Sequence, residues 1–308
     1  MKIRILGTGT SHGIPVVGCS CPVCTSLDPR DKRMRSAIYV EGQAGETAIL
    51  DAGPEFRLQA VSAGIRRLDA IFLTHAHADH IHGLDDVRSL SYEASIPVYG
   101  NEQTIEEMKE RFSYIWRKTQ RGGGKPKLIP QVVNKPVCIG SLIFTPVPVK
   151  HGALDILGWE VRENELSPER LSSPEKNSPE QCISGEGMRL PMKNLKSFLY
   201  LTDTSAIPPS SQVQLAALDG KGEQYEAIAK SRVIVIGGLR MKPHETHFSF
   251  EQALDAALGI GAGKIYLTHI CHEHFHSEIE EFCRKFSESR SFKHIEIHPA
   301  EDGLEILL

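Results

Sequence analysis

The sequence lacks a long apolar run. Its first ten residues, MKIRILGTGT, hold only two apolar residues between Arg4 and Gly7, whereas a signal peptide needs a longer apolar stretch. No other segment approaches the roughly 20 residues of a membrane-spanning helix. We therefore expect a protein without a membrane segment, located in the cytoplasm.

An excess of basic residues is also missing. The 35 Lys and Arg residues face 39 Asp and Glu residues, which gives a net charge of −4. Proteins that bind nucleic acid or anionic membranes through charge usually carry a basic surface and a high pI. This composition therefore argues against nucleic acid and membrane as partners. With 40% hydrophobic and 24% charged residues, the chain has the composition of a globular protein.

Short apolar runs rich in β-branched residues recur and mostly end at Gly, Pro, Asp or Thr, as strands that lead into loops do. They predict strands at 2–6, 37–40, 47–50, 70–73, 97–99, 142–149, 198–201, 233–236, 264–267 and 294–297. Helical patterns occupy 54–63, 104–117, 250–258 and 277–286. The mixture favours stacked sheets with helices outside. Residues 164–196 contain three Ser-Pro pairs and many small or charged residues, which predicts a surface insertion.

The sequence LTHAHADH, residues 73–80, places four potential metal ligands directly after a predicted strand. They are His75, His77, Asp79 and His80. One histidine at such a place is often structural or merely exposed. Four ligands within six residues on one loop can surround a pair of metal ions, and they indicate a metal site.

The quartet resembles the His-x-His-x-Asp-His signature of the metallo-β-lactamase superfamily. Three further residues follow strand-like segments in the order that this superfamily uses: His151 in VPVKHG, Asp203 in FLYLTDTS and His269 in IYLTHICH. The resemblance implies a single domain over residues 1–308 with an αββα sandwich, two mixed β-sheets flanked by helices. It also implies two divalent ions, zinc or manganese. His75, His77 and His151 would hold one ion, Asp79, His80 and His269 the other, and Asp203 would bridge them.

Three of the seven cysteines lie within GCSCPVC, residues 18–24. In a cytosolic protein we expect reduced cysteines, and there a cluster indicates a metal more often than a disulfide. Cys19, Cys21 and Cys24 are one ligand short of a tetrahedral zinc site.

The stretch GTGTSHGIPVVGCSCPVC resembles the start of PhnP-type phosphodiesterases of the carbon–phosphorus lyase pathway. In that group such a loop binds a structural zinc, together with a histidine three positions after the last active-site histidine. The resemblance thus makes His272 the fourth ligand. His274, His276 and Cys271 remain alternatives. The closing sequence EDGLEI, residues 301–306, also resembles the C-terminal strand of this group.

The sequence HETHFSFEQAL places His247 just before a helix, 22 residues ahead of His269. PhnP-type enzymes carry an active-site histidine there that does not bind the metals. We therefore expect His247, together with Asp79, to act in catalysis, with His247 as a general acid or as a hydrogen-bond donor to phosphate. His244 is the alternative.

The PhnP resemblance implies a homodimer that hydrolyses small phosphodiesters, such as cyclic ribose phosphates or nucleotide-like diesters. Rival functions are a thioesterase, a transfer-RNA 3′ processing enzyme, an iron-dependent sulfur dioxygenase and a non-catalytic metal-binding protein.

Overall fold

Two seven-stranded mixed β-sheets form the centre of the computed structural model, which describes residues 1–118, 124–164, 196–218, 232–290 and 295–308, with the backbone alone at 216–218. The first sheet has the order β14-β1-β2-β3-β4-β5-β6 and the second the order β13-β12-β11-β10-β9-β8-β7. The strands of the first sheet are β1 Lys2–Gly7, β2 Ala37–Glu41, β3 Thr47–Leu50, β4 Ala70–Phe72, β5 Ile96–Gly100, β6 Leu128–Val132 and β14 Glu305–Leu307. Those of the second are β7 Val137–Ile139, β8 Leu142–His151, β9 Leu154–Glu163, β10 Ser197–Leu201, β11 Val233–Gly237, β12 Lys264–Thr268 and β13 Glu296–Pro299.

Seven α-helices lie in the described part of the chain. They are α1 Pro22–Thr25, α2 Phe56–Ser62, α3 Ala78–Ile81, α4 Glu102–Arg111, α5 Pro209–Leu218, α6 Phe250–Gly259 and α7 His276–Ser289. Short 3-10 helices occupy Pro29–Asp31, Leu84–Ser91 and Ser113–Ile115. None of the helices described combines the length and the apolar character that crossing a membrane requires.

Three hydrophobic cores lie between neighbouring layers of the fold. The core between the sheets holds Phe72 against Phe144, with ring centroids 3.9 Å apart, and Trp159 at 4.9 Å. A second core joins one sheet to α6 and α7, and a third joins the other sheet to α2 and α4. Successive residues of β11 alternate between two cores because strand side chains alternate in direction. The layers are therefore helix, sheet, sheet and helix, and the predicted αββα sandwich is confirmed.

Strand direction brings the predicted ligands to one edge of the sandwich. Strands β3 and β4 are parallel, as are β10, β11 and β12. Strand β8 is antiparallel to β9, and β9 is antiparallel to β10, so β8 runs in the same direction as β10. The carboxyl ends of these strands lead directly into the loops that carry the histidines and aspartates.

The apolar patterns did not predict β6, β7 and β9, and β14 was expected only from the resemblance of residues 301–306. The predicted helix 104–117 also ends at Arg111 and continues as the 3-10 helix Ser113–Ile115. The predicted strand 294–297 is found as Glu296–Pro299. The predicted Ser-Pro-rich insertion, residues 164–196, lies outside the described residues except for its two end residues.

Candidate metal centre

The loop that follows β4 is held in place by the second sheet. The indole Nε1 of Trp159 donates to the carbonyl of Leu73 at 3.2 Å, and the amide of Leu157 donates to the carbonyl of Thr74 at 3.0 Å. Both donors belong to β9 and both acceptors immediately precede His75. Contact between the sheets therefore fixes the position at which the histidine quartet begins.

Three of the predicted ligands form a first group: the ligand atoms of His75, His77 and His151 lie within 4.8 Å of one another. The Nδ1 atom of His151 donates to the carbonyl of Thr246 at 2.7 Å, which leaves Nε2 as the lone-pair nitrogen. The Nε2 atom of His75 is buried and has no hydrogen-bond partner, and burial followed by the neighbouring His80 lowers the pKa of His75 well below its usual value. Nε2 of His151 and the buried Nε2 of His75 are thus the nitrogens available to a metal ion.

The other four predicted ligands form a second group, Asp79, His80, Asp203 and His269, again within 4.8 Å of one another. The Nε2 atom of His80 is 3.1 Å from Asp79 Oδ2 and 3.0 Å from Asp203 Oδ2. Burial by itself lowers the pKa of His80, but the carboxylates around it outweigh burial and raise that pKa well above its usual value. Buried carboxylates that favour a proton on an imidazole in this way also favour a cation.

Asp51 lies behind this group and was not predicted from the sequence. It is fully buried, directly after β3, and its Oδ2 accepts from His80 Nδ1 at 2.8 Å. Its Oδ1 accepts from the amide of Thr74 at 2.8 Å. The carboxylate therefore holds the Nδ1–H of His80 and turns Nε2 towards Asp79 and Asp203, as carboxylates behind metal-binding histidines do. The sequence does contain a feature that could have indicated Asp51: it is an acidic residue directly after the apolar residues AIL, within AILDAG.

Strained backbone marks the same strand ends. Asp51, Asp203 and His269 have φ values of 64°, 51° and 56°, and they are the described non-glycine residues with positive φ. Such conformations are uncommon for residues with a Cβ, and they persist where the surrounding structure imposes them. Here they turn the chain at the ends of β3, β10 and β12, so that each side chain faces the centre.

His247 also reaches the centre. Its ring lies 4.7 Å from that of His151 and 4.9 Å from that of His269, and its Nδ1 is 3.6 Å from Asp203 Oδ1. Burial, together with the nearby His269, lowers its pKa to about 3, so its imidazole is neutral near pH 7. Its nitrogen is close enough to His151 and Asp203 to complete a third possible ligand group. His244 lies further out and is exposed.

A separate cluster forms around the cysteine loop. The Sγ atoms of Cys19, Cys21 and Cys24 lie 3.4, 3.5 and 3.4 Å from Nδ1 of His272. A hydrogen bond from the Cys24 amide is the main reason why the pKa of the Cys21 thiol falls to about 6, whereas burial raises that of Cys24 to about 11. One thiol is thus readily ionised, and three sulfurs with one imidazole form a closed set of the kind that holds structural zinc.

The competing residues for the fourth position lie elsewhere. His276 Nδ1 is 3.0 Å from Arg33 Nη2, His274 packs against Phe250, and the Cys271 thiol is outside the cluster. Cys19, Cys21, Cys24, Cys271 and Cys283 are free thiols. Cys138 is disulfide-bonded, so the expectation that all seven cysteines are reduced is wrong.

Known proteins share both the sequence and the fold. A family model described as a beta-lactamase superfamily domain matches residues 47–270. An octanoyltransferase of Porphyromonas gingivalis is 30% identical over 315 aligned residues; the alignment covers all of this chain, which spans only 52% of that relative. A ribonuclease Z of Bradyrhizobium diazoefficiens is 24% identical over 87% of this chain and 95% of its own length. A crystal structure of a new diphosphatase from the PhnP family is 32% identical, with a TM-score of 0.73, and the match covers 100% of this chain and 97% of that one.

The sandwich and the histidine and aspartate cluster at its edge define a protein of the metallo-β-lactamase fold with a candidate metal centre. The chain belongs to the beta-lactamase superfamily, because the family model covers well over half of its residues. Within that superfamily it is related to the PhnP-family diphosphatase and to ribonuclease Z. The predicted family and fold are thus confirmed.

Proposed function

We propose that the protein hydrolyses phosphodiester bonds in small molecules, with two divalent ions held by the candidate metal centre. One observation carries the proposal: seven side chains converge in two adjacent groups around Asp203, and His247 lies beside them without belonging to the predicted ligand set. The similarity to the PhnP-family diphosphatase supports phosphate esters as the substrate class.

The residues fit the ions by their chemistry. His75, His77 and His151 offer three imidazoles to one ion. Asp79, His80 and His269 would offer a mixed set to the other, and Asp203 would be shared between the two. Imidazole and carboxylate ligands suit zinc and manganese. When bound, such ions supply Lewis acidity, which neutralises phosphate oxygens and makes water acidic enough to react near neutral pH. Cys19, Cys21, Cys24 and His272 would hold a third ion, a structural zinc.

His247 is the residue that we assign to the substrate. It is partly accessible, with 15% of its side chain exposed, and its ring lies between the buried His269 and the exposed His244. A phosphate at the metal centre would therefore contact its N–H. Because its imidazole is neutral near pH 7, His247 in that position donates a hydrogen bond to a phosphoryl oxygen. To deliver a proton to the leaving oxygen, it would first need the negative charge of a bound phosphate to raise its pKa.

A leaving-group series separates these two roles. His247→Ala should keep its metal content and lose on the order of 10²–10⁴ in kcat, the scale for a positioned acid or oxyanion donor. If His247 is the acid, the loss of kcat shrinks for nitrophenyl esters, because nitrophenolate leaves without being protonated. If it binds phosphate, the loss is the same for activated and unactivated esters. Loss of a metal ion in His247→Ala would instead show that His247 is a metal ligand, as its proximity to His151 and Asp203 permits.

A substrate panel tests the function itself. Metal-reconstituted protein is assayed with cyclic and linear phosphodiesters, a diphosphate ester, an RNA oligonucleotide, a thioester and a β-lactam, with oxygen uptake followed in parallel. The RNA is included because one relative is a ribonuclease Z. We expect turnover of small phosphate esters, and Asp203→Ala serves as the inactive control. Preference for the thioester, or uptake of oxygen, would refute the proposal. The homodimer and the cytoplasmic location remain predictions, and light scattering tests the first.

A further inference from the structure

Three histidines form a row that leads from the metal centre to the surface. The ring centroids of His269 and His247 are 4.9 Å apart, and those of His247 and His244 are 5.3 Å apart. The first ring is buried, the second is partly buried and the third is exposed. His244 stands outside every group of possible metal ligands among the described residues. It therefore lies one ring further from the centre than the residue assigned to the scissile phosphate.

The orientation of His244 is fixed by its neighbour Thr246. The amide N–H of Thr246 donates to Nδ1 of His244 at 3.3 Å, and the Thr246 hydroxyl lies at the same distance from that nitrogen. Because Nδ1 accepts, the neutral ring carries its proton on Nε2. His244 thus offers one N–H donor, and its only ring acceptor is already occupied.

Thr246 also ties His244 to the metal centre. Its carbonyl accepts from Nδ1 of the predicted ligand His151. Gly152 follows that ligand with φ of +58°, and a Cβ there would stand 2.9 Å from Thr246 Cγ2. Because glycine has no Cβ, the loop that carries Thr246 can pack this closely against the loop that carries His151. The distance between His244 and the centre is therefore set by packing.

We propose that His244 determines substrate specificity by donating a hydrogen bond to a second phosphate, one carried by the leaving group next to the scissile bond. This inference rests on the proposed function and narrows its substrate class to diphosphate esters. A lone N–H donor selects an acceptor, and an anionic phosphate oxygen accepts a stronger hydrogen bond than a neutral group does. A simple diester has no such group at this position.

Two substrates test the proposal. A nucleoside diphosphate ester releases a phosphate-bearing leaving group, whereas bis(p-nitrophenyl) phosphate does not. For His244→Ala we expect kcat/KM to fall about 10- to 100-fold on the diphosphate ester, the usual effect of losing one hydrogen bond to a charged group, and to stay nearly unchanged on the diester. Inorganic diphosphate should also lose its advantage over inorganic phosphate as a competitive inhibitor, with the metal kept in excess.

Matched variants distinguish a direct contact with substrate from an effect on the fold. His244→Gln retains an N–H at similar reach and should restore most of the preference for the diphosphate ester. His298→Ala removes an exposed histidine from β13 and should change neither substrate. Equal loss on both substrates, or a loss of bound metal, would show that His244 acts through Thr246 and His151 and would overturn the proposal, as would no loss at all. If the wild-type protein hydrolyses neither substrate, the proposed function itself fails.

Discussion

The substitution Asp51→Asn tests whether the buried carboxylate behind His80 prepares that imidazole for a metal. In the wild type, Oδ2 accepts from His80 Nδ1, and Oδ1 accepts from the Thr74 amide. An asparagine can satisfy only one of these donors with its oxygen. In one orientation the amide nitrogen faces the Thr74 N–H, which leaves a buried donor unsatisfied at a cost of about 1–3 kcal/mol.

The other orientation of the asparagine damages the metal centre directly. Its NH₂ group would then donate to His80 Nδ1, so the proton of the imidazole would move to Nε2. That nitrogen lies 3.0 Å from Asp203 Oδ2, where the metal ligand must present a lone pair. Loss of a carboxylate behind a metal-binding histidine typically weakens metal affinity 10- to 100-fold, or about 1.4–2.7 kcal/mol. We expect Asp51→Asn to show a loss of this size.

Calorimetric titration of the metal-free protein with zinc or manganese measures the effect on affinity, and urea denaturation measures the effect on folding. Asp69→Asn is the matched control. Oδ2 of Asp69 accepts from the amide and the hydroxyl of Thr47 at 2.9 and 3.2 Å, so it makes the same kind of contact as Asp51 but without a histidine. The control should lose stability and keep its metal affinity. If Asp51→Asn binds metal as tightly as the wild type, the positioning role is wrong.

Two further predictions concern the zinc cluster and the pH dependence of stability. Cys21→Ser should lose about one tightly held zinc per chain, because a closed site needs all four ligands; elemental analysis checks this, with Cys271→Ser as the control, and a full zinc content in Cys21→Ser would refute the assignment. Burial raises the pKa of Asp302 from 3.8 to about 6, so between those pH values the folded state binds more protons than the unfolded chain, and the contribution to stability is lost as the pH rises. The shift corresponds to on the order of 3 kcal/mol. The free energy of unfolding of the wild type, relative to Asp302→Asn, should fall by that amount between pH 3 and pH 7 in urea denaturation, and a constant difference would contradict it.

The sequence was sufficient for the parts of the centre that are local. Strands β4, β10 and β12 are short and mostly apolar, and His75, Asp203 and His269 follow them within three residues. A strand that ends at a polar residue presents that residue on a loop, so the position of each predicted ligand followed from its neighbours in the chain. The cysteine loop was equally visible, because its three thiols are only two or three residues apart.

Tertiary structure decided which of these groups meet and in what chemical form. The choice of His272 over His274 and His276 depends on a contact between loops about 250 residues apart, and spacing alone cannot distinguish the three. The hydrogen bond between Asp51 and His80 could not be predicted from the sequence for the same reason. It depends on the parallel pairing of β3 with β4. Strand β9 was missed because the charged residues Glu160 and Arg162 interrupt its apolar pattern, and the fold buries both of them, with an ion pair between them.

The tautomers are also a tertiary property. Which nitrogen of His80, His151 or His244 carries the proton depends on the acceptor or donor that the fold places beside Nδ1. A sequence specifies that an imidazole is present, since this needs only the residue type. It does not show which of the two nitrogens faces the metal or the substrate, because hydrogen bonds with residues distant in the chain, or with a loop held by them, fix that choice.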